Sequence, residues 1–207
     1  NYSIIEKRDL TEYVLSQTIR LNPSQKIYIP QKVYEATLAI EVKDVPAMGY
    51  VQYTIDLDDT SKQDMQSKDI LQNEYYHIQI ENDGSLTITD KVNGIIYDKQ
   101  AILVENGDDG DMFNYSPPRN DFEVYSTDAK MNYTISGNDI YQEACIHFDM
   151  IVPANLEERA NKQVSVTLPI DMKVALKKGS PVIDFNIHVN NNGLSHRLCV
   201  LFDAKMS

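Results

Sequence analysis

The chain is 207 residues long, which at about 150 residues per domain allows one large domain or two small ones. Its 42% hydrophobic and 24% charged content is that of a globular chain, not a disordered one. Nineteen basic against 31 acidic residues leave a formal net charge of −12, which argues against a general nucleic-acid binder and against docking on anionic membranes.

No apolar run approaches the roughly 18 residues of a spanning helix. The two cysteines, Cys145 and Cys199, make neither a disulfide framework nor a metal motif. The sequence starts at Asn1 without a methionine, has no basic-then-apolar signal segment, and stops at Ser207 just after a strand-like stretch. A fragment of a larger protein is the expectation.

In chain order, Asp9 to Leu21 carries two patterns. Leu10, Val14 and Leu21 suit a helix, while Tyr13 to Leu15 suits a strand. Ala36 to Val42 and Val51 to Leu57 then alternate with period two, which predicts half-buried strands. Val45-Pro46-Ala47-Met48-Gly49 between them is turn-like. Residues 58–69 have almost no apolar content and read as a linker or a long solvated loop.

After it the alternation sharpens. Ile78 and Ile80 lead to Asn82-Asp83-Gly84, a turn that tolerates positive φ, and Leu86 and Ile88 return. Asn93-Gly94 leads to Ile95-Ile96-Tyr97. Residues Asn155 to Asn161 suit a single helical turn. Ile170, Met172, Val174 and Leu176 run to Lys178-Gly179-Ser180. Ile183, Phe185, Ile187 and Val189 come back, and Asn190 to Gly193 turns into Leu198, Val200 and Phe202. Strands joined by short turns predict antiparallel pairing, hence a sandwich or the packing of a large sheet.

Chemistry is sparse. The four histidines, His77, His147, His188 and His196, have no zinc-motif spacing. His77 and His188 fall on outward strand positions. No nucleophile elbow or phosphate loop occurs. Cys145 and Cys199 read as buried, inert thiols. NYS at 1–3 and 114–116 and NYT at 132–134 fit the glycosylation pattern, which is short enough to arise by chance.

The segment Glu105 to Pro118 stands out. Four carboxylates, Glu105, Asp108, Asp109 and Asp111, fall within seven residues, followed by Phe113, Tyr115 and a double proline. A solvated acidic loop, a calcium loop and a sugar-recognition loop are the readings. The calcium pattern is not matched at the required spacing. For a sugar, carboxylates accept hydroxyl hydrogen bonds and a ring covers the pyranose face.

Four blocks together resemble a known family. Leu71-Gln72-Asn73-Glu74-Tyr75 followed by Asp83-Gly84-Ser85-Leu86-Thr87-Ile88-Thr89-Asp90-Lys91 resembles the start of the C-terminal β domain of glycoside hydrolase family 38, the α-mannosidases. Gly107-Asp108-Asp109-Gly110-Asp111 through Asn114-Tyr115-Ser116-Pro117-Pro118 is similar to the bacterial G-D-x-G-D-x-Y-N-Y-S-P-P stretch. Ser195-His196-Arg197-Leu198 through Phe202 resembles its D-H-R-L-R-V-L-F strand, and Val45 to Tyr50 resembles its V-P-A-L-G-Y segment. The blocks stand in family order over about residues 40–203.

The resemblance implies an all-β chain with little helix: an antiparallel β-sandwich or supersandwich of galactose mutarotase type. It implies a partial β segment over 1–60, a linker over 61–70 and the supersandwich over 71–207, the last truncated. The family is a group of retaining α-mannosidases with an aspartate nucleophile, an acid/base carboxylate and a zinc ion. These belong mainly to an N-terminal domain. No catalytic residue and no metal ligand is expected within this chain, and zinc is expected in the parent's catalytic domain.

The implied partners are a mannose-containing oligosaccharide or glycoside and the missing catalytic domain, with no nucleic acid and no membrane. Asp108, Asp111, Phe113, Asn114, Tyr115, His196 and Arg197 are the expected substrate-side or interdomain residues. The family's active-site tyrosine falls at Phe113, and Tyr115 is the nearest substitute, although strand alternation would aim it the other way. A serine, Ser195, stands where the family has aspartate. The motif flavour and the absence of disulfides suggest a bacterial cytoplasmic setting.

Two other readings stand beside this one. A stand-alone carbohydrate-binding or adhesion sandwich suits the acidic, tyrosine-rich composition, with 13 Tyr. An aldose epimerase relative would need a His/Glu acid–base pair in one cleft, the histidine supplied by His147 or His188.

Overall fold

The computed structural model describes residues 2–21, 32–54, 70–111 and 113–205. They fall into two compact units, residues 1–65 and 66–207. In the first, β1 (Tyr2–Asp9) and β2 (Tyr34–Ile40) form an antiparallel ribbon with Tyr2 opposite Ile40 and Asp9 opposite Tyr34. Helix α1 (Thr11–Leu21) runs between them.

Of the two patterns in Asp9 to Leu21, the helix wins. Asp9 Oδ1 accepts the Thr11 N–H at 2.9 Å, satisfying a donor that the first turn leaves open. Glu12 in the first turn and Arg20 in the last have the favourable signs for the helix dipole.

Two expectations for this unit need correction. The strand read at Ala36 to Val42 lies at 34–40, and only Leu38 and Ala39 in it are half-buried; the rest is exposed. Residues 51–54 are exposed and not a strand. Alternation creates a strand only where a neighbour completes the ladder, and none pairs there among the described residues. Ile55, Leu57 and the polar stretch 58–69 lie outside the described residues. Ile70, the last residue of the expected linker, already belongs to a strand.

The second unit is built from β3 (Ile70–Gln72), β4 (Tyr76–Ile80), β5 (Leu86–Asp90), β6 (Ile95–Gln100), β7 (Ile102–Gly107), β8 (Val124–Tyr125), β9 (Lys130–Gly137) and β10 (Tyr141–Val152). A short helix α2 (Leu156–Ala160) follows, then β11 (Val166–Lys177), β12 (Ile183–Val189) and β13 (His196–Leu201). The sheets run β3-β4-β5-β6, β13-β7-β8 and β12-β11-β10-β9, antiparallel throughout. The chain is an all-β sandwich with little helix, as expected.

Alternation aims one face of every long strand inward. Ala144, Ile146, Phe148, Met150 and Val152 of β10 and Leu168, Ile170, Met172 and Val174 of β11 are fully buried. They share one core with Leu71, Ile78, Leu86 and Leu103 from the other sheets. Each of these side chains larger than alanine contributes about 1.5–3 kcal/mol by leaving water. The opposite face of β10 and β11 carries Cys145, His147, Asp149, Asp171 and Lys173. Both cysteines are half-buried rather than fully buried, and burial raises the Cys145 thiol pKa, which keeps it inert.

The first resembling block has a mechanical role. Gln142 exchanges two 2.9 Å hydrogen bonds with the Gln72 backbone. Asn73 Nδ2 donates to the Lys177 and Ser180 carbonyls, both at 2.9 Å, and its Oδ1 accepts from the Tyr75 and Tyr76 amides. Glu74 Oε2 accepts the Gly179 N–H at 3.0 Å. The block therefore pins the β3–β4 corner to the ends of β10 and β11. Its companion Gly84 sits at φ +79°, where a Cβ would lie 2.4 Å from Phe148 Cε1. Among the described residues, no helix is long and apolar enough to cross a membrane.

Candidate functional site

β7 and β13 pair so that His196 lies opposite Gly107 and Arg197 opposite Asn106. The Asp108 N–H continues the ladder onto the Ser195 carbonyl at 2.9 Å. The second and third resembling blocks, about ninety residues apart, thus meet at one corner of the fold. The acidic loop leaves β7 at Gly107 and returns at β8.

The loop holds itself with its own carboxylates. Asp108 Oδ1 accepts the Gly110 and Ser116 N–H groups at 2.9 and 3.1 Å. Asp111 Oδ1 accepts the Phe113 and Asn114 N–H groups at 2.8 and 2.9 Å, with Asn114 Nδ2 at 3.4 Å. These amides hold both carboxyls below their ordinary pKa: chiefly the Ser116 amide for Asp108 and the Phe113 amide for Asp111. Gly110 is required by space, since a Cβ would meet the Asn114 carbonyl oxygen at 1.9 Å.

The described residues of 108–123 form no strand, so strand alternation does not orient Tyr115. That expectation is corrected: Tyr115 lies under Arg197, whose guanidinium carbon is 3.6 Å from the ring centroid. Arg197 Nε donates to Asn106 Oδ1 at 2.8 Å, and Asn106 Nδ2 lies 3.5 Å from the Tyr115 hydroxyl. Phe113 is 88% exposed and Tyr115 41%. The structure therefore brings Asp108, Asp111, Asn114, Tyr115 and Arg197 onto one loop surface, with Phe113 projecting from it.

His196 goes the other way, inward. Its side chain is 5% exposed, and Nδ1 lies 3.2 Å from Glu105 Oε1, within ion-pair reach but without hydrogen-bond geometry. Nε2 is 2.9 Å from Asn191 Oδ1. Glu105 is fully buried and bonded to Arg159, itself 2% exposed. Sequence reasoning gave no role to Arg159 or to Asp121, which joins the same cluster. The hint available was Asn155: its side chain caps the Glu157 and Glu158 amides, fixing the turn that aims Arg159 inward.

The other candidate chemistry lies elsewhere. His147 Nδ1 is 2.7 Å from Asp171 Oδ1 and Nε2 is 3.3 Å from Asp149 Oδ1. These carboxylates, Asp171 first, raise its pKa. It sits on the outer sheet face, with no glutamate partner among the described residues. His188 faces Asp171 from β12 and is exposed. A cleft of about 530 Å³ is lined by Val124, Tyr125, Asp128, Lys130, Asp149 and Met150, among others, and by none of the seven expected site residues. Among the described residues, no group of three or more His, Cys, Asp or Glu side chains is placed to hold a metal ion.

Compared with known proteins, the chain matches no family model and no curated sequence. Two of the solved structures to which it is similar are these. One is an α-mannosidase from Enterococcus faecalis V583, 26% identical over 68% of this chain and 18% of its own, with a TM-score of 0.61. The other is a protein in glycosyl hydrolase family 38 from Enterococcus faecalis, 21% identical over 97% of this chain and 25% of its own, with a TM-score of 0.66. The second speaks for the fold. The chain spans no more than about a quarter of the length of either relative. In motif order and in fold, the chain is similar to glycoside hydrolase family 38, as a C-terminal β-rich piece of it.

Proposed function

We propose that this chain is the non-catalytic β part of a retaining α-mannosidase, packing on the parent's catalytic domain and lining one wall of the mannose site. The observation that carries the reading is the corner where two resembling blocks converge: Arg197 on Tyr115, beside a loop ordered by Asp108 and Asp111. In this reading Tyr115 and Arg197 are the sugar-facing groups. The aspartates shape the wall, since their Oδ1 atoms are occupied by backbone amides. Retaining hydrolysis uses two carboxyl groups roughly 5 Å apart; we place neither of them in this chain. Zinc, if the parent holds it, would supply positive charge from residues of another domain. A bacterial cytoplasmic setting belongs to the same proposal.

Hydrolysis of an aryl α-mannoside tests the reading, using this 207-residue chain with and without zinc and the parent with its upstream domains. Turnover by the parent alone, lowered at least tenfold by Tyr115→Ala together with Arg197→Ala, is the expected result. Zinc-dependent turnover by the 207-residue chain itself would overturn the division of labour. Glycan affinity in the folded chain without zinc, with no turnover by the parent, would favour a stand-alone carbohydrate-binding sandwich, which the exposed Phe113 would suit.

A further inference from the structure

Arg159 reaches from α2 to both stems of the acidic loop. On the entry side its guanidinium bonds Glu105, and its aliphatic stem covers Gly107, where a Cβ would sit 2.6 Å from Arg159 Cδ. On the exit side Nη1 donates to Asp121 Oδ1 at 3.1 Å and to the Phe122 carbonyl at 2.7 Å. The Arg159 guanidinium carbon lies 5.4 Å from the Phe122 ring centroid. Asp121 Oδ1 also accepts the Gly107 N–H at 3.1 Å. Entry and exit thus close on one another through one carboxylate, and one guanidinium grips both. His196 closes a third side of the cluster from β13.

We propose that Arg159 is a positioning residue for this loop. It fixes the separation of the two stems, and through it the placement of Asp108, Asp111 and Tyr115, without touching a ligand. The chemistry favours arginine specifically. Its planar fork reaches two carboxylates and a carbonyl in fixed directions, which a lysine ammonium on a flexible stem does not reproduce. A buried ion cluster is also weak as a pure stability device, because a well-packed apolar replacement is often as stable. The loop's relevance to a sugar rests on the reading above; the clamp itself does not.

The test therefore reads the loop and not turnover. Backbone heteronuclear NOE values, which report ordering within the folded molecules and not the unfolding equilibrium, are measured by NMR on the 207-residue chain for wild type, Arg159→Met and Arg159→Lys. The expected result in Arg159→Met is a loss of roughly a third or more of the NOE at Gly110, Phe113, Asn114 and Ser116, with Ile146 and Met172 of the core unchanged. Arg159→Lys should fall closer to Arg159→Met than to wild type. Loop values equal to those of wild type would overturn the proposal. So would a loss that is equal in loop and core, which would make Arg159 a global support only. If Arg159→Met does not fold, Asp121→Ala removes the carboxylate that the two stems share, and the same loop-selective loss is expected; its absence overturns the proposal.

Discussion

Arg197 lies over the face of Tyr115, its guanidinium carbon 3.6 Å from the ring centroid, and so ties β13 to the acidic loop. The pair is partly exposed, which limits its strength to about 0.5–1 kcal/mol. A double-mutant cycle with Tyr115→Leu and Arg197→Met, followed by chemical denaturation, should return a coupling of that size. A coupling indistinguishable from zero would mean the stack is incidental.

The buried cluster predicts a larger effect. Glu105 is fully buried, and its charge is matched by Arg159. Removing one member leaves the other uncompensated, at a cost of about 3–5 kcal/mol. Arg159→Met should lower the denaturation free energy by that amount. Replacing Glu105 and Arg159 together by apolar residues should recover most of the loss, since no fully buried lone charge then remains and Asp121, partly exposed, keeps the Gly107 N–H.

Gly84 is required on two counts, its φ of +79° and the Phe148 ring 2.4 Å from where a Cβ would be. Gly84→Ala combines overpacking with left-handed strain, and should cost roughly 2–4 kcal/mol. Gly94, at φ +69° with nothing within 4 Å of its Cβ position, isolates the strain alone. Gly94→Ala should cost only about 1–2 kcal/mol. Thermal unfolding of the two variants makes the comparison.

The loop also has a pH signature. The folded pKa values of Asp108 and Asp111 lie below their unfolded values. Their contribution is therefore complete above the unfolded carboxylate range of about 4 and is lost as pH falls through the folded values. Acidification below about pH 4 should release the Phe113, Asn114 and Ser116 amides before the core amides. Asp111→Asn should remove most of that pH dependence at Phe113 and Asn114, and NMR titration reads both.

Much of this architecture is legible in the residues. The alternation of Ile170, Met172, Val174 and Leu176 marks β11, and the loop and His196-Arg197 blocks mark the corner where they meet. The failures have physical causes. Residues 51–54 alternate but lack a partner strand. His196 and Arg197 are neighbours with opposite fates, one buried on Glu105 and one stacked outside on Tyr115, a choice made by cross-strand neighbours. Arg159 looks in sequence like any charge on a short solvated turn. Its burial is decided by Glu105 and Asp121, which are 54 and 38 residues away.

The location of that arginine also orders events in time. Arg159 belongs to the connection between β10 and β11, the two strands paired from Tyr141–Lys177 to Val152–Val166. Until that hairpin closes, nothing carries the guanidinium to the loop stems. Closing contacts across such separations requires much of the chain to be in place first. The grip on the acidic loop is therefore complete only once the central hairpin has closed and carried Arg159 to the loop stems.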